Sequence, residues 1–406
     1  MATTEQPTLR RLNCFWHTHA FPVAVALGLA MVLAVSAWEK LSSGGEANLY
    51  AHQAESFLSG RLSVEADLQD VAVHRGERFV PFPPFPAVAL MPLVAIFGVE
   101  RAPVVAFAVA LSGLSGYLLA RILQTLELSP LIGVVATMGF FLGTAYWSAV
   151  RVSERVWFFA QVIAVLCTLT ALHQALVRRS AWMSGLCLGL AFLSRQMTVY
   201  LALFVLSLLI TRQPSRTTRE QLRVAAAFAI PLSLCVGIYL LLNYLRFGDA
   251  FETGYRFIQL TGHLAERVSK HGLFSLEYVP FNAIYLFLQG FHLEFAPPDF
   301  LRPVGLDPFG SSLLAASPFV AAAFWARWHR LLVVSAWASV GLIVAQTLLY
   351  YNNGMLQWNA QRFTLDFLPA LMVLVGVGMR SHTSVWVLAV AYAVALNAVA
   401  LLAFQR

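Results

Sequence analysis

The chain has 406 residues, of which 59% are hydrophobic and only 12% charged, with a net charge of +7. Soluble domains carry about 25% charged residues, so this composition excludes a soluble globular enzyme and indicates a polytopic membrane protein. The basic groups lie in short loops between apolar runs, which fits orientation in a bilayer and argues against nucleic-acid binding.

The first apolar run, 20–38, follows a polar leader and reads as an uncleaved anchor. Further runs predict spans at 104–121, 131–148, 157–177, 181–193, 197–211, 224–244, 311–326, 331–350, 364–379 and 384–403. The basic clusters Arg10–Arg11, Arg178–Arg179, 212–223, 327–330 and Arg380 are expected on the cytoplasmic side. The polar segments 39–82, 149–156, 245–310 and 351–363 then fall on the outer side. Two shorter runs, 83–98 and 279–292, are ambiguous. Parity forbids 83–98, with Pro86 and Pro92, from being a simple crossing, unless one short run is miscounted. The fold class is thus all-α, a bundle of about 11–13 transmembrane helices. It forms one integral membrane domain over 1–406, with no separate soluble domain.

Within the first outer loop, Ala47, Tyr50, Ala51, Ala54, Phe57 and Leu58 recur at helical spacing, and Gly60 suits a left-handed cap. The segment 46–58 is too short to span, so it predicts an amphipathic helix lying along the membrane. The four cysteines, Cys14, Cys167, Cys187 and Cys235, have no metal-ligand spacing.

After this helix come Asp70, Glu77 and Arg78, then a double proline, Pro83-Pro84. The order Glu46…Tyr50, FLSG (57–60), Pro83-Pro84 resembles the first outer loop of the GT-C superfamily of membrane glycosyltransferases. GLCLGLAFLSRQ (185–196) resembles the glycine-patterned helix of its protein mannosyltransferase and aminoarabinosyltransferase branch. The segments 246–257, 306–318 and 357–369 look like a further bacterial branch. Two departures stand out. Glu46 occupies the position of the usual catalytic aspartate, and VPFPP lacks the basic residue that often precedes the double proline.

The resemblance implies transfer of a sugar from a polyprenyl-phosphate donor to a lipid, glycan or protein acceptor. It also implies the plasma (inner) membrane of a bacterium, with the site on the outer, periplasmic side. Such chemistry needs a base for the acceptor hydroxyl and positive charge or hydrogen-bond donors on the departing phosphate. Glu46 and Asp70 are the candidate bases, with Glu154, Asp249 and Glu252 behind them. Arg78, Arg155 and Arg362 are candidate phosphate ligands, and Arg195 either binds phosphate or snorkels to the surface. Arg362 and Asp366 also have the spacing of a helix-internal ion pair. Asn48, Tyr50, Tyr255, Asn353 and Gln357 are candidate sugar or acceptor contacts, although 352–354 is equally a turn signal. A divalent metal is compatible with this chemistry, but no Asp-x-Asp pair calls for one; no other cofactor is expected. The competing readings are a transporter or lipid flippase, and a catalytically inactive relative. A transporter predicts an internal repeat with mid-membrane ionisable groups, and no repeat is evident.

Overall fold

The structure is a computed structural model that describes residues 7–211, 217–354, 357 and 360–404. The helices are α1 (Pro7–Ser36), α2 (Leu49–Leu58), α3 (Phe85–Arg101), α4 (Val104–Thr125), α5 (Pro130–Leu142) and α6 (Ala145–Arg151). There follow α7 (Val156–His173), α8 (Ala181–Phe192), α9 (Ala202–Thr211), α10 (Thr218–Phe247), α11 (Gly262–His271) and α12 (Val279–Ala283). The last are α13 (Leu313–Ala316), α14 (Arg330–Leu349), α15 (Leu368–Gly378) and α16 (Thr383–Phe404). Two small hairpins, β1 (Ala72–His74) with β2 (Glu77–Phe79) and β3 (Leu293–Phe295) with β4 (Pro303–Leu306), decorate the loops.

Six helices among the described residues are long and apolar enough to cross a membrane. The pair α5 and α6, bent by 55°, makes a seventh. With α8, the stretch Gln196–Thr211, α15, and α13 with its following turn Pro318–Trp325, they match the eleven predicted runs. The spans are therefore unequal, and several fall short of the roughly 20 residues of a full crossing.

Contacts sort the loops into two sets. Lys40 pairs with Glu154 at 2.7 Å, Asn48 Nδ2 donates to the Ser153 carbonyl, and Ala72 bridges to Ile258. At the other end Arg380 Nη2 donates to the Leu126 carbonyl at 2.6 Å, and Gly378 lies against the Ala322 backbone. The arginine-rich ends thus gather opposite the first loop.

Neither ambiguous run crosses. α3 begins where the Phe85 amide donates to the Leu193 carbonyl, just after α8, and ends where Val99 accepts from Gly45 at 2.9 Å. Both ends lie on the first-loop side, and α3 packs along α2. That return needs Gly44, because a Cβ there would sit 1.6 Å from the Glu100 carbonyl oxygen. The run 279–292 stays beside the end of α14, where Asn282 Nδ2 donates to the Leu348 and Tyr350 carbonyls. The amphipathic helix forms as α2, starting at Leu49 because Asn48 caps it by accepting the Tyr50 amide. The glycines of 185–196 serve packing: Gly185 and Gly189 let α8 close on α10 beside Phe228 and Cys235.

Candidate functional site

A cavity of about 350 Å³ opens among the first-loop set of segments. Asp70 reaches it from the first loop, Trp157 from the start of α7, and Arg195 and Gln196 from the elbow between α8 and α9. Tyr239 enters from α10 and Tyr255 from the following loop. Tyr350 and Tyr351 enter from the end of α14, and Arg362, Phe363 and Asp366 from the 3-10 turn before α15.

At the elbow, α8 stops and Arg195 takes an extended backbone (φ −146°, ψ 107°) that turns its side chain inward. Its guanidinium meets Asp366 with two bonds, Nε to Oδ1 at 3.0 Å and Nη2 to Oδ2 at 2.8 Å. In the amide orientation its neighbours require, buried Gln161 donates to Asp366 Oδ1 at 3.1 Å and accepts from Arg195 Nε at 3.2 Å. Two charges buried this far are tolerable only as a pair with the remaining lone pairs satisfied. The helix-internal pair expected between Arg362 and Asp366 is therefore not the one that forms. In a 3-10 turn residues i and i+3 are the ones that eclipse, and Asp366 is taken by Arg195. Nor does Arg195 snorkel to the surface.

A second constellation stands beside it. Trp157 Nε1 donates to Asp70 Oδ2 at 2.8 Å, and the Arg362 guanidinium lies 5.9 Å from the Trp157 ring centroid. Arg362 also faces Phe158 and Phe363 at 5.1 Å each, and Arg195 faces the same Phe363 ring at 5.2 Å. Asp70 holds a left-handed backbone, φ 69°, which costs a non-glycine residue energy and is worth noting at a site. Burial pushes its carboxyl above the usual aspartate range, offset by the Trp157 hydrogen bond and the Arg362 charge. Burial and the like charge of Arg195 bring Arg362 down to about 10, so it remains a cation at neutral pH. Burial also pushes the hydroxyls of Tyr255 and Tyr351 up, the latter to about 12. They remain neutral hydrogen-bonding groups on an aromatic wall.

Of the residues predicted from sequence, the cavity gathers Asp70, Arg195, Tyr255 and Arg362. Tyr50 lies buried just beneath, against Phe82 at 6.3 Å, in a small annex shared with Trp157 and Arg195. The others stand elsewhere. Glu46 is exposed in the turn before α2, where its carbonyl accepts from His52. Asn48 is spent on the cap and on Ser153. Arg78 faces Asp67 at 3.6 Å on the hairpin, and Arg155 is exposed at the start of α7. Gln357 holds the loop instead, donating to Gly354 and accepting from the Arg362 amide, while Asn352 caps the 352–354 turn. Buried Asn353 lends its carbonyl to Gln357 at 3.4 Å. Glu154 and Glu252 are paired with Lys40 and Arg256, and Asp249 accepts the Phe251 amide. Sequence reasoning missed Asp366 as a partner of Arg195, and it did not single out Trp157 as a site residue. Among the described residues no group of three or more His, Cys, Asp or Glu could hold a metal ion.

No protein-family model and no curated protein sequence matches the chain. Among solved structures it is similar to ArnT from Cupriavidus metallidurans bound to undecaprenyl phosphate. The TM-score is 0.50 at 16% identity, over 88% of this chain and 60% of that one. The Pmt1-Pmt2 protein O-mannosyltransferase complex of S. cerevisiae bound to its sugar donor is similar over 64% of this chain and 36% of that one. There the TM-score is 0.39, again at 16% identity. The likeness to ArnT shows the fold, the one expected for the GT-C superfamily, and the chain spans 60% of that structure's length.

Proposed function

We propose that the protein is a glycosyltransferase that moves a sugar from a polyprenyl-phosphate donor to an acceptor hydroxyl. The observation that carries this reading is one cavity holding a carboxylate and a buried guanidinium, Asp70 and Arg362, joined through Trp157. In this reaction Asp70 takes the proton from the acceptor hydroxyl. The hydroxyl oxygen then bonds to the anomeric carbon as the bond from that carbon to the phosphate oxygen breaks. The electron pair leaves with the phosphate, whose charge Arg362 stabilises. Tyr255, Tyr350 and Tyr351 line the space left for the sugar. The resemblance to ArnT, which was crystallised with undecaprenyl phosphate, supports a lipid-linked donor. In this reading the active face is the outer face of a bacterial inner membrane.

Sugar transfer from polyprenyl-phosphate donors in reconstituted vesicles tests the assignment. Asp70→Asn should lower the rate by about 10²–10⁴, the contribution of a general base. Glu46→Gln, at an exposed turn outside the cavity, should stay near the unmodified rate. A full rate in Asp70→Asn would remove Asp70 as the base, and loss in Glu46→Gln alone would move the site to the turn before α2.

A further inference from the structure

A second cavity is larger than the one above. It measures about 850 Å³ and lies on the outside of the bundle, at the first-loop end of α1. It lies between α1 and α6, the short helix bent by 55° from α5. The wall along α1 is apolar and open: Met31 is 66% exposed and Val35 70%. Trp38, 74% exposed, stands at the top. An indole so placed at the end of a span marks the headgroup level of a bilayer. Only a molecule with a hydrocarbon part, coming from the membrane, suits such a wall.

The rim carries charges of both signs. Lys40 and Arg151 bring cations and Glu39 a carboxylate. Lys40 bonds Glu154 at 2.7 Å but keeps a side chain 31% exposed and has three N–H donors in all. Arg151 is braced by donating from Nη1 to the Ser36 carbonyl at 2.8 Å, and Trp147 Nε1 donates to Ser36 Oγ at 2.9 Å. A phosphate with an ammonium beside it complements this rim. A polyprenyl phosphate, whose phosphate monoester carries a greater negative charge and no cation, would bring it against Glu39. We propose that this cavity is a seat for one aminophospholipid of the phosphatidylethanolamine class. Its phosphate lies on Lys40 and Arg151, its ammonium on Glu39, and an acyl chain runs along Met31 and Val35.

The test is native mass spectrometry of the full chain, purified from mixed micelles holding equal amounts of phosphatidylethanolamine and phosphatidylglycerol. One phosphatidylethanolamine per chain should be retained in preference. Glu39→Gln should reduce that preference about fivefold, and Lys40→Gln should weaken retention of both lipids about fivefold, from roughly 1 kcal/mol per interfacial charge. Arg151→Gln should act as Lys40→Gln does, but it also loosens the end of α1. Val35→Trp, at an exposed position that leaves the fold untouched, should therefore abolish retention by filling the groove. Equal retention of both lipids, retention unchanged by Val35→Trp (annular lipid only), or displacement by added undecaprenyl phosphate would each overturn the assignment.

Discussion

Trp157 touches both charged groups proposed to act on the substrate. Its indole N–H holds Asp70, and its ring faces Arg362. The hydrogen bond works against burial, which holds the Asp70 carboxyl above its usual range. Trp157→Phe removes that bond and should push the carboxyl further up. A base must be deprotonated to act, so the acidic limb of the kcat/KM profile should move to higher pH, with the alkaline limb unmoved. An unmoved acidic limb would mean that Asp70 does not set it. Asp366 poses a different question, because it neutralises Arg195 and cannot serve as a base while it does. Asp366→Ala leaves a buried guanidinium uncompensated and should cost about 3–5 kcal/mol, seen as lowered thermal stability in detergent. Replacing the pair together, Arg195→Met with Asp366→Leu, should recover most of that loss. The sequence made Asp70 and Arg362 visible because charges bordering apolar runs are functional suspects. It could not reveal the Arg195–Asp366 pair, because those residues stand 171 apart and Arg362 offers a nearer partner by helical spacing.

Helix α8 shows how glycine spacing becomes architecture. A Cβ on Gly185 would come within 2.0 Å of the Phe228 carbonyl oxygen, backbone that has no rotamer to yield. Gly185→Ala should therefore force α8 off α10 and lower stability by about 1–3 kcal/mol, a typical overpacking cost. Because Arg195 follows directly on α8, activity should fall with it. The apolar periods of the spans and of 46–58 were legible, since burial in lipid leaves a long run of one character. The 83–98 run was not, because proline and apolar residues serve a span and a surface helix alike. Its course is set by non-local contacts, the Phe85 amide on Leu193 at one end and the Gly45 amide on Val99 at the other. Trp157 was not legible as a hydrogen-bond donor, since its partner lies 87 residues away.

For the whole molecule, the arginine distribution and the contact sets agree on which loops lie together. Single cysteines at exposed Asp67 and Lys270 should label from one side of sealed vesicles, and one at His382 only after permeabilisation. Labelling of all three from the same side would break the arrangement. The short spans also set depth. At a rise of 1.5 Å per residue, the 12 residues of α8 cover only about 18 Å of a hydrocarbon layer roughly 30 Å thick. The elbow that carries Arg195 then sits on the order of 10 Å below the bilayer surface. On the proposed reading, a lipid-borne phosphate would meet the cations of this cavity without being lifted out of the membrane.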